Sequence, residues 1–173
     1  VRERVIVVNG VSKGYAMTGW RIGWIAAPKW IASACGLLQG QYTSGASSIS
    51  QKAAEAAYTG NQDYVEEMRV AFERRKNLIT KLLKEIPALK VNDPKGAFYV
   101  FVECSSYLGK QFDEKRIDTA TDLAMYLLEQ GHVACVGGDA FGAPGHIRFS
   151  YATSDENIEK AVSRVKGALE KLR

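Results

Sequence analysis

Residues 5–27 read VIVVNGVSKGYAMTGWRIGWIAA. Val5-Ile6-Val7-Val8 is apolar on both faces, the pattern of a strand buried in a parallel sheet, so Arg4 to Asn9 is expected to be a strand. A second strand, again nearly all apolar, is expected around Arg21 to Ala27. The loop between them holds Lys13 beside Gly14, and Arg21 follows Lys13 by eight residues, between Gly19 and Gly23. A lysine used as a covalent nucleophile must be held by rigid elements and partly desolvated, so that its neutral amine is available. A nearby arginine supplies a planar fork for phosphate, and glycines allow a close backbone approach. The same residues also suit an ordinary loop with two solvated charges.

Working outward, Pro28 suits the first turn of a helix carrying Ile31, Cys35 and Leu38 at helical spacing. Residues 44–50 are a small-residue linker into a helix over Gln51 to Thr59, closed by Gly60. The longest element is expected over Asp63 to Ile86, where Val65, Met68, Phe72, Ile79, Leu82, Leu83 and Ile86 form one stripe. Asp63 with Glu66 has the spacing of a capping box, and Pro87 ends the helix. At 1.5 Å per residue it would span roughly 35 Å, enough to link two domains. Beyond Pro87 strands are expected over Ala97 to Glu103, His132 to Val136 and His146 to Ala152, with helices over Thr119 to Gln130 and after Ser154. The organisation is thus α/β, with 1–62 as part of a larger sheet domain, 63–86 as a linking helix, and 87–173 as a smaller α+β domain.

Composition narrows the function. The 173 residues are 46% hydrophobic and 24% charged, ordinary values for a chain with its own core. A net charge of +4 with interleaved acids, and no binding motif, argues against nucleic acid as a partner. The densest basic run, Arg74-Arg75-Lys76, has the look of a solvated helix face. The cysteines Cys35, Cys104 and Cys135 are odd in number and widely spaced, which speaks against a disulfide framework and against zinc or any other metal. Each stands among apolar residues and is expected to be a buried, reduced thiol. No apolar run is long enough for a membrane span, and the first residues have no signal-peptide character, so a cytoplasmic protein is expected.

Residues 12–24, SKGYAMTGWRIGW, resemble nearly residue for residue the lysine signature of class I (fold-type I) pyridoxal-phosphate aminotransferases, in the aspartate aminotransferase branch. The resemblance implies that Lys13 forms the Schiff base with the cofactor and shuttles the proton between substrate and cofactor, and that Arg21 contacts the cofactor phosphate. Some relatives place a phosphate-binding serine three residues before the lysine. Here that position is Gly10, while Ser12 adjoins Lys13, so Ser12 stands between a phosphate contact and a plain loop hydroxyl.

A second segment, residues 145–152, reads GHIRFSYA. Strand alternation puts His146, Arg148 and Ser150 on one face and Ile147, Phe149 and Tyr151 on the other. By itself Arg148 suits an ion pair. The segment resembles the family strand whose arginine holds the substrate α-carboxylate, and the resemblance assigns Arg148 that role. Residues 96–99 and 137–142 resemble neighbouring family segments more loosely, with Phe98, Tyr99 and Phe141 expected to pack. The stretch from Thr43 to Ser48 resembles one that approaches the partner subunit's site.

The resemblance runs in order along the whole chain, but the family is a good deal longer. Its amino-terminal half supplies the ring-stacking aromatic, the pyridinium carboxylate and the phosphate-cradling turn. The implied parent is a homodimeric transaminase moving an amino group from an amino acid, with aspartate foremost, to a 2-oxo acid. The 173 residues alone are expected to be inactive. The rival readings are another reaction on the same scaffold, such as β-elimination, and a non-catalytic truncated domain.

Overall fold

The computed structural model describes residues 2–173. By their internal packing these form two compact units, Val1–Met68 and Arg69–Arg173, and the division falls within a long helix.

In the first unit β1 (Val7–Gly10) and β2 (Gly23–Ala26) pair as a two-stranded antiparallel ribbon, with Val7 opposite Ala26 and Gly10 opposite Gly23. The sequence pattern pointed to a strand of a buried parallel sheet, and its pairing with β2 is antiparallel for a plain reason. A parallel return needs a long crossover, usually a helix. Residues 11–22 instead fold into turns, with Tyr15 N–H donating to the Val11 carbonyl at 3.2 Å and Trp20 N–H to the Met17 carbonyl at 3.3 Å. Among the described residues Val5 to Val8 and Trp24 to Ala26 are all exposed.

Helix α1 (Lys29–Thr43) follows Pro28, and α2 (Ser48–Thr59) starts at Ser48, earlier than Gln51. Gly60 closes α2, its N–H donating to the Ala56 carbonyl at 2.9 Å. Helix α3 (Asp63–Lys84) begins where expected, but Asp63 is its first helical residue rather than its cap. Asn61 does that work, its Oδ1 accepting the Asp63 N–H at 2.9 Å.

The second unit contains a four-stranded antiparallel sheet in the order β3 (Lys90–Val91), β4 (Tyr99–Glu103), β8 (His146–Ser150), β7 (Val136–Gly137). A small hairpin, β5 (Gln111–Phe112) with β6 (Lys115–Arg116), had no clear signal in the sequence. Helices α4 (Ala120–Gly131) and α5 (Asp155–Leu169) belong to the same core and are tied by Tyr126, whose hydroxyl donates to the Ala168 carbonyl at 2.7 Å. Alternation along β4 and β8 sends Val100, Val102, Ile147 and Phe149 inward, where Leu83, Leu123, Leu127, Ile158 and Val165 complete the core. The opposite face carries Tyr99, Phe101, Glu103, His146, Arg148 and Ser150.

Three further expectations change. No strand runs from His132 to Val136: His132 takes the left-handed conformation (φ 53°) that ends α4, and Val133 N–H donates to the Leu127 carbonyl at 3.1 Å. The apolar run there is a helix exit, and pairing starts only at Val136. Cys35 is exposed, whereas Cys104 is buried and Cys135 half-buried. Burial pushes the Cys104 thiol up to about 11 and the Cys135 thiol to about 12. Finally, the basic run is not a free solvated face. Arg74 Nε donates to Asp155 at 2.8 Å, Arg75 Nε lies 3.5 Å from the same carboxylate, and the Arg75 guanidinium lies over the Phe72 ring at 5.6 Å.

Candidate functional site

Lys13 sits in the turn that leaves β1, and three contacts within the first unit fix that turn. Val11, only 1% exposed, anchors it as the buried apolar residue of the loop. The Tyr15 hydroxyl donates to Gln62 Oε1 at 3.0 Å, and its ring meets Tyr58 edge-on at 5.1 Å. Trp24 Nε1 donates to the Tyr58 hydroxyl at 2.8 Å, so both ends of the loop are fastened to α2 or the segment after it. The Lys13 side chain itself is exposed.

Arg21 ends the loop in the left-handed conformation (φ 49°), which turns its side chain back on the preceding turn. Its Nη1 donates to the Thr18 carbonyl at 2.9 Å. That bond engages one of five guanidinium N–H donors and leaves the others for a ligand. Gly10 is explained by close approach: a Cβ there would meet the Ile22 carbonyl oxygen at 2.9 Å, backbone that a side chain could not displace cheaply. A serine at that position would therefore strain the ribbon. Ser12 is half-buried beside Lys13.

In the second unit Arg148 projects from the centre of β8, opposite Phe101 on β4 and Val136 on β7. Its guanidinium lies over the Tyr99 ring at 4.2 Å and over the Phe141 ring at 4.4 Å. Among the described residues it has no carboxylate partner. A half-buried guanidinium in contact with two aromatic rings keeps the chemistry of a planar donor fork suited to an anion. His146 on the same face stacks on Phe101 at 5.1 Å, and its Nδ1 lies 3.1 Å from the Pro144 carbonyl.

Residues 1–165 match the family described as aminotransferase class I and II. The chain belongs to the class I and II aminotransferases. An aspartate aminotransferase of Rhizobium meliloti is 46% identical over 173 residues, with 99% of this chain and 42% of that protein covered. A bifunctional aspartate aminotransferase and glutamate/aspartate-prephenate aminotransferase of Petunia hybrida is 47% identical, with 96% of this chain and 36% of that protein covered. The crystal structure of the Rhizobium meliloti aspartate aminotransferase superposes with a TM-score of 0.94 at 45% identity, covering 99% of this chain and 43% of that one. An aromatic aminotransferase from Pyrococcus horikoshii gives 0.88 at 37% identity, covering 98% of this chain and 44% of that one. This aminotransferase chain thus spans less than half the length of the relatives it matches.

Two features around the candidate residues carry no clear signal in the sequence. The Thr18 carbonyl that holds Arg21 carries no signal, because any residue supplies a carbonyl. Tyr99 and Phe141 were expected only to pack. Alternation does put Tyr99 on the face of Arg148, so half of that pairing was readable once β4 and β8 were known to be neighbours. Among the described residues no group of side chains could hold a metal ion, and no helix is long and apolar enough to cross a membrane.

Proposed function

We propose that this chain carries the lysine and two arginines of a pyridoxal-phosphate transaminase, with aspartate as amino donor and a 2-oxo acid as acceptor. The observation that carries the reading is Arg148, a guanidinium braced by two rings and without a carboxylate of its own. The donor set of the first unit fits the cofactor by its chemistry. A primary amine suits an aldehyde, and a guanidinium with free donors suits a phosphate dianion. Lys13 would hold the aldehyde end and Arg21 the phosphate. Bound there, the cofactor supplies the electron-withdrawing ring that makes a Cα proton removable.

The chain's own groups then divide the work. Arg148 receives the substrate α-carboxylate in a bidentate pair and sets the orientation of Cα. Lys13 Nζ, as a neutral amine, would take the Cα proton and deliver it to the aldehyde-derived carbon of the cofactor, acting as general base and then general acid. Arg21 would keep the phosphate end still while this happens, and Ser12, half-buried beside Lys13, would add a hydroxyl at that end. The names of the relatives support aspartate as the substrate. Three free cysteines accord with a reducing, cytoplasmic setting, and the working assembly in this reading is a homodimer.

The test is transamination between aspartate and 2-oxoglutarate by the holoenzyme that contains this chain. Lys13→Ala should lower kcat by roughly 10³-fold or more, as expected for loss of the group that moves the proton. Arg148→Ala should lower kcat/KM for aspartate by an amount on the order of 2–5 kcal/mol, the range for losing one partner of a buried charge pair. An Arg148→Ala enzyme with an unchanged specificity constant sinks the carboxylate role.

A further inference from the structure

We infer that Tyr99 and Phe141 are positioning residues: they clamp the Arg148 guanidinium so that only its N–H edge is offered, which favours a planar carboxylate. The inference rests on the reading of Arg148 given above and deepens it. The two rings reach Arg148 from different directions in the chain. Tyr99 comes from β4 on one side of β8, and Phe141 from the turn that follows β7 on the other.

Both rings are themselves fixed. The turn over Gly138–Phe141 is locked by Asp139, whose Oδ2 accepts from Thr121 N–H at 3.0 Å and Thr121 Oγ1 at 2.9 Å. Gly138 admits no side chain, because a Cβ would collide with the Ala143 and His146 carbonyl oxygens. Phe101 meets the Phe141 ring edge-on at 6.2 Å. Tyr99 is held by its strand pairing opposite Ser150 and by the Phe98 ring at 4.3 Å.

The exposure of Phe141 sharpens the argument. It remains 49% exposed, so it contributes little to the core, and its ring contacts are with Arg148 and Phe101. A long side chain with no ion-pair partner would otherwise spread over many rotamers and lose that freedom on binding. Rings on the guanidinium remove most of that loss before the ligand arrives.

The experiment measures steady-state kinetics of the holoenzyme and the Kd of succinate, an unreactive dicarboxylate, for Tyr99→Leu, Phe141→Leu, Tyr99→Phe and Phe141→Tyr. The leucine variants are repeated in an Arg148→Lys background. Each leucine variant should raise KM for aspartate and Kd for succinate by about threefold to tenfold, with kcat nearly unchanged. The aromatic replacements should restore both values. An ammonium offers no planar fork, so in the Arg148→Lys background the leucine changes should add little. Phe112→Leu, which disturbs a ring contact with Tyr126 elsewhere in the unit, should lower Tm and leave KM alone. Should Arg148→Lys by itself leave KM unchanged, the carboxylate role and this inference both fall. Where Arg148→Lys raises KM but Phe141→Leu does not, or where the ring effects persist in full beside the lysine, the inference alone falls. Phe141 is half exposed, so its replacement decides the matter even if Tyr99→Leu does not fold.

Discussion

Val8 and Leu83 are both aliphatic residues in regular elements of the same chain, yet Val8 is 75% exposed on β1 while Leu83 is 0% exposed on α3. The contrast holds for the units that contain them. In the first unit Val5 to Val8, Trp30, Leu37, Leu38 and Tyr42 all face outward, and Val11 is the one deeply buried apolar residue among those described. In the second unit β4, β8, α4 and α5 close over a continuous core. The difference follows from element count. Among the described residues no layer packs on either face of the two-stranded ribbon, whereas the four-stranded sheet has helices over one face. The proposed site residues do not track that burial: Lys13 and Arg21 belong to the more exposed unit, Arg148 to the closed one.

The comparison can be broken most directly by trimming the same kind of side chain in each unit. Leu83→Ala in the 173-residue chain should cost about 2–5 kcal/mol, from lost transfer energy and the cavity left behind. Val8→Ala should stay within about 0.5 kcal/mol, as for surface positions. Urea unfolding with a common m-value checks both, and an equal cost at the two sites would mean that the ribbon is buried in solution.

The thiols give a finer measure. Cys35 should react with a disulfide reagent at the rate of an accessible thiol. Buried Cys104 and half-buried Cys135, pushed up to about 11 and about 12, should react far more slowly, Cys104 only through opening of the second unit. Labelling followed by mass spectrometry reads the order directly. Cys104 or Cys135 labelling as fast as Cys35 would show that the second unit is looser than its core implies.

The smallest effect concerns the tie between α3 and α5. The hydrogen bond from Arg74, with its charge, holds the Asp155 carboxyl below its ordinary value of 3.8. A depressed carboxylate stabilises the folded state above that ordinary value, and the contribution disappears as pH falls through it toward the lower folded-state value. The Tm difference between the unmodified chain and Asp155→Asn should therefore be widest near neutral pH and close below pH of about 4. The pair is exposed, so the difference should be small throughout. A Tm difference that does not vary with pH would assign the effect to the start of α5 alone.

Much was legible in the residues themselves. The apolar stripe of α3, the alternation of β8 and the helices α4 and α5 need only local periodicity, because i, i+3 and i+4 or i, i+2 neighbours share a face wherever the segment goes. The run Thr119 to Asp122 forms the capping box that Asp63 and Glu66 do not. The difference there is one residue of helix start, which competing side chains such as Asn61 decide.

Lys13, Arg21 and Arg148 were legible as candidates in the sequence because each lies in a contiguous segment whose residue types carry the resemblance. Strand direction and burial in the first unit were not, since an apolar tetrad such as Val5 to Val8 reads alike whether its neighbour is parallel, antiparallel or absent. Pairing is a relation between segments, and so is burial. The same reason hid the clamp on Arg148. Tyr99, Phe141 and Arg148 are separated by long stretches of chain, and only the sheet order β4-β8-β7 with the locked turn after β7 brings two rings onto one guanidinium. Local sequence sets which way a side chain faces along its own element; what it then meets is settled by which elements pack together.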